Sequence, residues 1–144
     1  MVFITYIICV MVSIIAVWFD IRTYRVSNKF NLMICICGIL YSCIFYGLIG
    51  LRGSLMGMLL PIVGLFILFA FGVLGAGDIK LFAALGTIAH GDIVWIVGFS
   101  FLLAAIWGVG LMTCRGIKSI MNRTKIHFTI PVMLSTLVYA LANI

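Results

Sequence analysis

The sequence predicts an all-α fold of tightly associated membrane-crossing helices, and three observations lead to it. Of the 144 residues, 66% are hydrophobic and only 8% are charged, whereas a soluble domain is roughly 45–50% apolar. Apolar runs close to the ~20 residues of a spanning helix recur along the chain, separated by short polar breaks. The basic residues collect in alternate breaks, as membrane orientation requires. About six spans fit this length and leave no room for a soluble domain, so residues 1–144 are expected to form a single integral-membrane domain.

The first helix is expected near 2–19. It has no basic leader, and Asp20 and Arg22 follow it instead of a small-residue cleavage site, so it is a retained helix and not a signal peptide. The second and third are expected near 31–50 and 54–73, divided by a break that carries Arg52. Gly53 and Gly57 have the spacing that lets helix backbones approach. The remaining helices are expected near 77–90, 93–112 and 127–144. Pro61 and Pro131 are placed early in their helices, where a missing N–H costs least.

With the first helix starting outside, the cytoplasmic segments are 20–30, 74–80 and 113–126. They hold Arg22, Arg25, Lys29, Lys80, Arg115, Lys118, Arg123 and Lys125, leaving only Arg52 outside. Both termini are therefore expected on the extracytoplasmic side. The net charge of +6 is too dispersed between apolar runs to form a nucleic-acid-binding face; no nucleic acid partner is expected, and membrane lipids are. Cys9, Cys35, Cys37, Cys43 and Cys114 contain no CxxC pair and are expected as buried apolar thiols.

The chain has three acidic residues, Asp20, Asp78 and Asp92, and no glutamate. Carboxylates at a membrane are costly and point to function by default. Between Asp20 and Asp78 the chain is expected to cross twice, so both emerge on the same face. Only twelve residues separate Asp78 from the break at Gly91, about 18 Å of helix against a ~30 Å apolar core. Asp78 is therefore drawn toward the membrane edge. Gly75 and Gly77 before it permit close backbone approach where an extended substrate could lie. Two facing aspartates share one proton, which supplies a base and an acid at the same pH for peptide hydrolysis. Spacing alone equally allows each aspartate to cap a helix or pair with an arginine.

Two segments carry a family resemblance: Asp20-Ile-Arg-Thr-Tyr-Arg-Val-Ser-Asn28 and Gly75-Ala-Gly-Asp78-Ile-Lys-Leu81. They resemble the two aspartate motifs of type IV prepilin peptidases, the second being the GxGD motif, and the six-helix layout is similar as well. The resemblance implies a plasma-membrane aspartic endopeptidase of a prokaryote that removes the leader of prepilin or pseudopilin substrates at the cytoplasmic face. Asp20 and Asp78 would be its catalytic pair, Gly75 and Gly77 would shape the site, and no cofactor or metal is implied. Larger members carry a cytoplasmic domain with paired cysteines associated with N-methylation. Here no such domain fits, so methyltransferase activity is not expected; the size resembles the short peptidases of tight-adherence (Flp) pilus systems. Ser27 stands where relatives often have proline.

Around this pair, Lys80 can meet a carboxylate or a substrate acid, or simply anchor at the interface. Arg22, Arg25 and Lys29 can touch substrate or anionic lipid. Asn28 can order its loop through backbone hydrogen bonds. Asp92 is expected in a solvated outer turn, away from the pair. His90 and His127 fall near opposite faces and cannot build one zinc site. Ser13, Ser42, Ser54 and Ser100 are expected to bond backbone, with no histidine partner. Two rival readings remain open, a small proton- or cation-coupled transporter using Asp20 and Asp78, and a non-catalytic scaffold subunit.

Overall fold

The computed structural model describes residues 2–23, 27–115 and 128–143, with the side chains of 2, 3, 23 and 111–115 set aside. All regular structure among them is helical. The elements are α1 (Val2–Thr23), α2 (Asn28–Ala70), α3 (Ala76–Ala89), a single 3₁₀ turn (His90–Asp92), α4 (Ile93–Arg115) and α5 (Thr129–Ala142). Arg25, Lys118, Arg123, Lys125 and His127 lie outside the described residues, as do 24–26 of the first expected cytoplasmic segment and 116–126 of the last.

The 43 residues of α2 are not one straight rod, because Gly47 at φ 61°, ψ −142° interrupts the helical backbone. The arms on either side, 28–46 and 48–70, fold onto the same neighbour. Ser42 and Ser54, one from each arm, both donate to the Thr87 carbonyl, at 3.1 and 2.5 Å. At the bend, Gly50 lies so close to the Ser42 carbonyl that a Cβ there would collide with it. The expected break at 51–53 is thus corrected to Gly47, with Arg52 inside the second arm. Hydropathy could not find this point, since Tyr46-Gly47-Leu48-Ile49 is apolar throughout; only a residue without Cβ takes that positive φ cheaply. Pro61 is likewise corrected: it sits well inside the second arm, whereas Pro131 is in the first turn of α5.

At its far end α2 stops in a Schellman turn. The Val73 N–H bonds the Leu68 carbonyl and the Gly72 N–H bonds the Phe69 carbonyl, with Gly72 at φ 71°. That turn delivers the chain to α3, which is the centre of the molecule: every residue from 81 to 89 is buried. Its small residues let the others close in. Gly38 of the first arm faces the Thr87 side chain, and a Cβ on either Gly57 or Gly86 would run into the other's carbonyl. Pro61 has no N–H to give the Gly57 carbonyl one turn back, and that carbonyl lies instead against Gly86.

A turn with His90 at φ 54° separates α3 from α4. Phe82 of α3 and Phe101 of α4 both pack on Phe128, with centroids 6.1 and 5.5 Å away, so α4 runs back alongside α3. Helices α1 and α5 are antiparallel. Tyr6 meets Tyr139 edge-on at 5.6 Å, Thr136 donates to Ser13 at 3.2 Å, and Thr129 donates to Asp20 at 2.7 Å. Ser100 and Ser135 join α4 to α5 at 2.6 Å.

Three stretches, Ile4–Arg22, Asn28–Ala70 and Ala76–Gly110, are long and apolar enough to cross a membrane, and Thr129–Ala142 is a shorter apolar helix. The outer surface is itself apolar: Ile44, Leu48, Ile49 and Phe71 are 76–83% exposed. Lipid tails are as apolar as leucine, so helices in lipid are held by close packing and interhelical hydrogen bonds of about 0.6 kcal/mol each. The glycine contacts and serine bonds of α3 supply both. Of the cysteines, Cys9 is buried, Cys35 is half-buried, and Cys37 and Cys43 are exposed, so the expectation of buried thiols holds only for the first. Cys114 has no described side chain.

Candidate active site

The two candidate carboxylates come from helix ends that the bundle brings to one end of the molecule. Asp20 lies in the last turn of α1 and Asp78 in the first turn of α3. Both are half-buried, and the charge of Asp20 acts on Asp78 through space. The two are therefore neighbours, although 58 residues of chain separate them.

Asp78 is the third residue of α3 after the N-cap Gly75. Its backbone N–H bonds the Gly75 carbonyl at 3.1 Å, and its carboxylate accepts the Gly75 N–H in return. This is the reach-back half of a capping box, so Asp78 does serve its helix, as one of the alternatives allowed. Gly75 has an ordinary extended backbone at φ −77°, ψ 146°, so its glycine character is not a matter of torsion. Space decides it. A Cβ at Gly75 would stand 3.1 Å from the Asp78 Oδ2, tighter than usual contact, while a Cβ at Gly77 would meet no heavy atom within 4 Å. Gly75 thus leaves room for the carboxylate and Gly77 leaves an open face beside it.

Asp20 is held from the other side by Thr129, which donates to its Oδ2 at 2.7 Å. Sequence reasoning missed Thr129. The signal was present: the even number of crossings expected between residues 20 and 129 returns the chain near 129 to the Asp20 end, and a hydroxyl there has a carboxylate to meet.

The remaining expected site residues divide. Lys80 and Asn28 come together, Lys80 Nζ donating to Asn28 Oδ1 at 3.0 Å on the exposed rim. That bond ties the N-terminus of α2 to α3 two residues past Asp78. Arg22 turns away, its guanidinium 4.7 Å over the Trp18 ring, a cation–π contact on its own helix.

At the opposite end, Asp92 accepts a hydrogen bond from Tyr6 at 3.0 Å and is only partly exposed. The expectation of a solvated turn residue is therefore corrected; its distance from the pair is not, since Tyr6 and Asp20 are 14 residues apart on one helix, about 21 Å. Ser42 also has a histidine partner after all, His90 Nε2 at 2.7 Å. It is fully buried and also bonds the Thr87 carbonyl, so its role is to hold helices together. Ser13 and Ser100 bond the backbone carbonyls of Cys9 and Ile96, at 2.8 and 2.7 Å, as expected.

A family model, that of the type IV leader peptidase family, matches residues 7–112. The chain belongs to this family. No curated protein and no solved structure matches it. As a leader peptidase the chain is a hydrolase, and the matched region contains Asp20, Asn28, the glycines at 75 and 77, Asp78 and Lys80. Thr129 lies beyond it.

Proposed function

We propose that this leader peptidase is a multi-pass aspartic endopeptidase of a prokaryotic plasma membrane. It cleaves the leader of type IV prepilin-like substrates, of the Flp kind, at the cytoplasmic face. The observation that carries the proposal is the placement of Asp20, in the last turn of α1, and Asp78, in the first turn of α3, at one end of the bundle where α1 packs on α3. The 14 residues of α3 span only about 21 Å of a ~30 Å apolar layer, which supports a site at the membrane edge.

In this mechanism one carboxylate takes a proton from water as the water oxygen attacks the scissile carbonyl carbon. The other, protonated at the start, hydrogen-bonds the carbonyl oxygen and helps stabilise the charge that develops there. Collapse of the tetrahedral adduct breaks the C–N bond, and the leaving nitrogen receives the proton taken from water. The products are a carboxylic acid and a free amine, and the step uses no cofactor. Gly75 and Gly77 keep the approach to Asp78 clear of side chains. Topology follows the basic residues: six crossings, both termini outside, and the 20–30, 74–80 and 113–126 segments in the cytoplasm. The fold is proposed as one membrane domain over residues 1–144, serving pilus assembly or related protein secretion.

The test is incubation of the purified protein, in detergent or liposomes, with a prepilin-like peptide spanning the leader junction. A new N-terminus just before the hydrophobic segment is expected. An intact peptide under conditions where the protein is folded would overturn the proposal.

A further inference from the structure

We propose that the cavity between the arms of α2 and the start of α3 is a substrate subsite. In it the Asn31 carboxamide binds a backbone peptide group of an extended, apolar segment next to the scissile bond. This rests on the proposed peptidase function and specifies how that function recognises its substrate.

Asn31 is 3% exposed, and among the described residues neither its Oδ1 nor its Nδ2 has a hydrogen-bond partner. Its backbone is satisfied, the N–H bonding the Ser27 carbonyl at 3.1 Å; only the side chain is left over. Buried polar groups without partners are few in native proteins, and each calls for an explanation. Here the explanation is adjacent. Asn31 lines a cavity of about 430 Å³ together with Asn28, Leu32, Met58, Ile62 and Lys80. Asn28 and Asn31 are one helical turn apart and share a face. Lys80 closes the rim through its bond to Asn28 and stands two residues beyond Asp78, about 3 Å along the helix axis.

The chemistry of the lining selects the occupant. A carboxamide offers an acceptor oxygen and a donor N–H₂, and a peptide group offers the complementary N–H and C=O. Once the carboxamide turns from its buried position toward the cavity, pairing the two satisfies both ends of Asn31 at once. A lipid acyl chain would fill the apolar walls but leave the carboxamide as it is, and a carboxylate or phosphate would take Nδ2 while facing Oδ1 with like polarity. The apolar walls then receive a substrate side chain, and the volume falls within the range of small-ligand sites. Lys80 and Asp78 are two residues apart on α3 and point to different sides of it, so a segment seated in the cavity reaches Asp78 by passing around the N-terminal end of that helix.

The test compares the full-length wild type with Asn31→Leu, a near-isosteric apolar replacement, and with Asn31→Gln, which keeps the amide but moves it. Cleavage of a prepilin-like peptide by Asn31→Leu is expected to show KM raised about tenfold with kcat within about twofold, because the lost contact serves bound substrate and transition state alike. Asn31→Gln should fall between. Without peptide, Asn31→Leu should melt no lower than wild type, since removing an unpartnered buried amide relieves the fold. Saturating peptide should raise the melting temperature of the wild type more than that of the variant. An unchanged KM in Asn31→Leu, or a lower melting temperature without peptide, overturns the subsite. Failure of the wild type itself to cleave overturns the peptidase proposal, and the subsite with it.

Discussion

Asp78 has two tasks that one substitution can separate. Its carboxylate accepts the Gly75 N–H at the start of α3, and an asparagine oxygen can do the same, so Asp78→Asn should cost little stability. An amide cannot exchange protons, however, so cleavage should fall by roughly 10²–10⁴-fold. Asp20→Asn should do likewise, and the double variant should be little worse than either single, because groups acting as a unit are strongly non-additive. Asp92→Asn, at the other end of the bundle beside Tyr6, should leave cleavage near wild type. The wild-type pH–rate profile should be bell-shaped, its two limbs belonging to the pair and not to either residue. Near-normal cleavage by folded Asp78→Asn protein is the result that would falsify the pairing. Gly75→Ala is a finer probe: its Cβ would press on Oδ2 from 3.1 Å, so a clear loss of kcat with an unchanged melting curve is expected. That Asp20 and Asp78 fall at one end of the bundle was readable from spacing, and Gly75, Gly77, Lys80 and Asn28 were singled out by the motifs around them. Thr129 and Asn31 were not, because each acquires its meaning only from what the fold sets against it: a carboxylate for one, nothing for the other.

Among the helices, α3 has the least freedom. Each arm of α2 presses a glycine on it, Gly38 on Thr87 and Gly57 on Gly86, and the second contact is backbone against backbone. Gly57→Val or Gly86→Val should therefore destabilise by about 1–3 kcal/mol or more, the range of core overpacking. Gly53→Ala meets only the His90 ring at 3.3 Å, a side chain able to give way, and should cost far less. Thermal melts of the three in one detergent make the comparison, and equal losses would contradict it. The GxxxG spacing at 53 and 57 was legible in the sequence, but its partner was not, since Gly86 is 29 residues beyond Gly57. The apolar runs located the helices to within a few residues. They misplaced the bend of α2, because a turn made by one glycine's torsions leaves no polar mark.

For the molecule as a whole, the ends of the bundle differ in chemistry. One end gathers Asp20, Asp78, Lys80 and Asn28; the other has Asp92 held by Tyr6, and His90 with Gly53 packed on its ring and Arg52 next in the chain. With the basic residues setting orientation, a cysteine at position 29 in a cysteine-free background should react with membrane-impermeant reagents only after the cytoplasmic side is opened. One at position 52 should react in intact cells. The reverse pattern would invert the topology and put the aspartates outside. The helical character of the chain and the shared end of the two aspartates could be read from hydropathy and parity, whereas the centrality of α3 could not, since a run of small and apolar residues reads the same whether it meets lipid or protein.

The bond from Thr129 to Asp20 links residues 109 apart, and this has a bearing on biogenesis. Chains emerge from the ribosome N-terminus first, so α1, the arms of α2, α3 and α4 can insert and pack while α5 is still being made. Through that interval the Asp20 Oδ2 lacks the Thr129 hydroxyl that bonds it, so this contact at the Asp20 end forms only after the chain has passed residue 129.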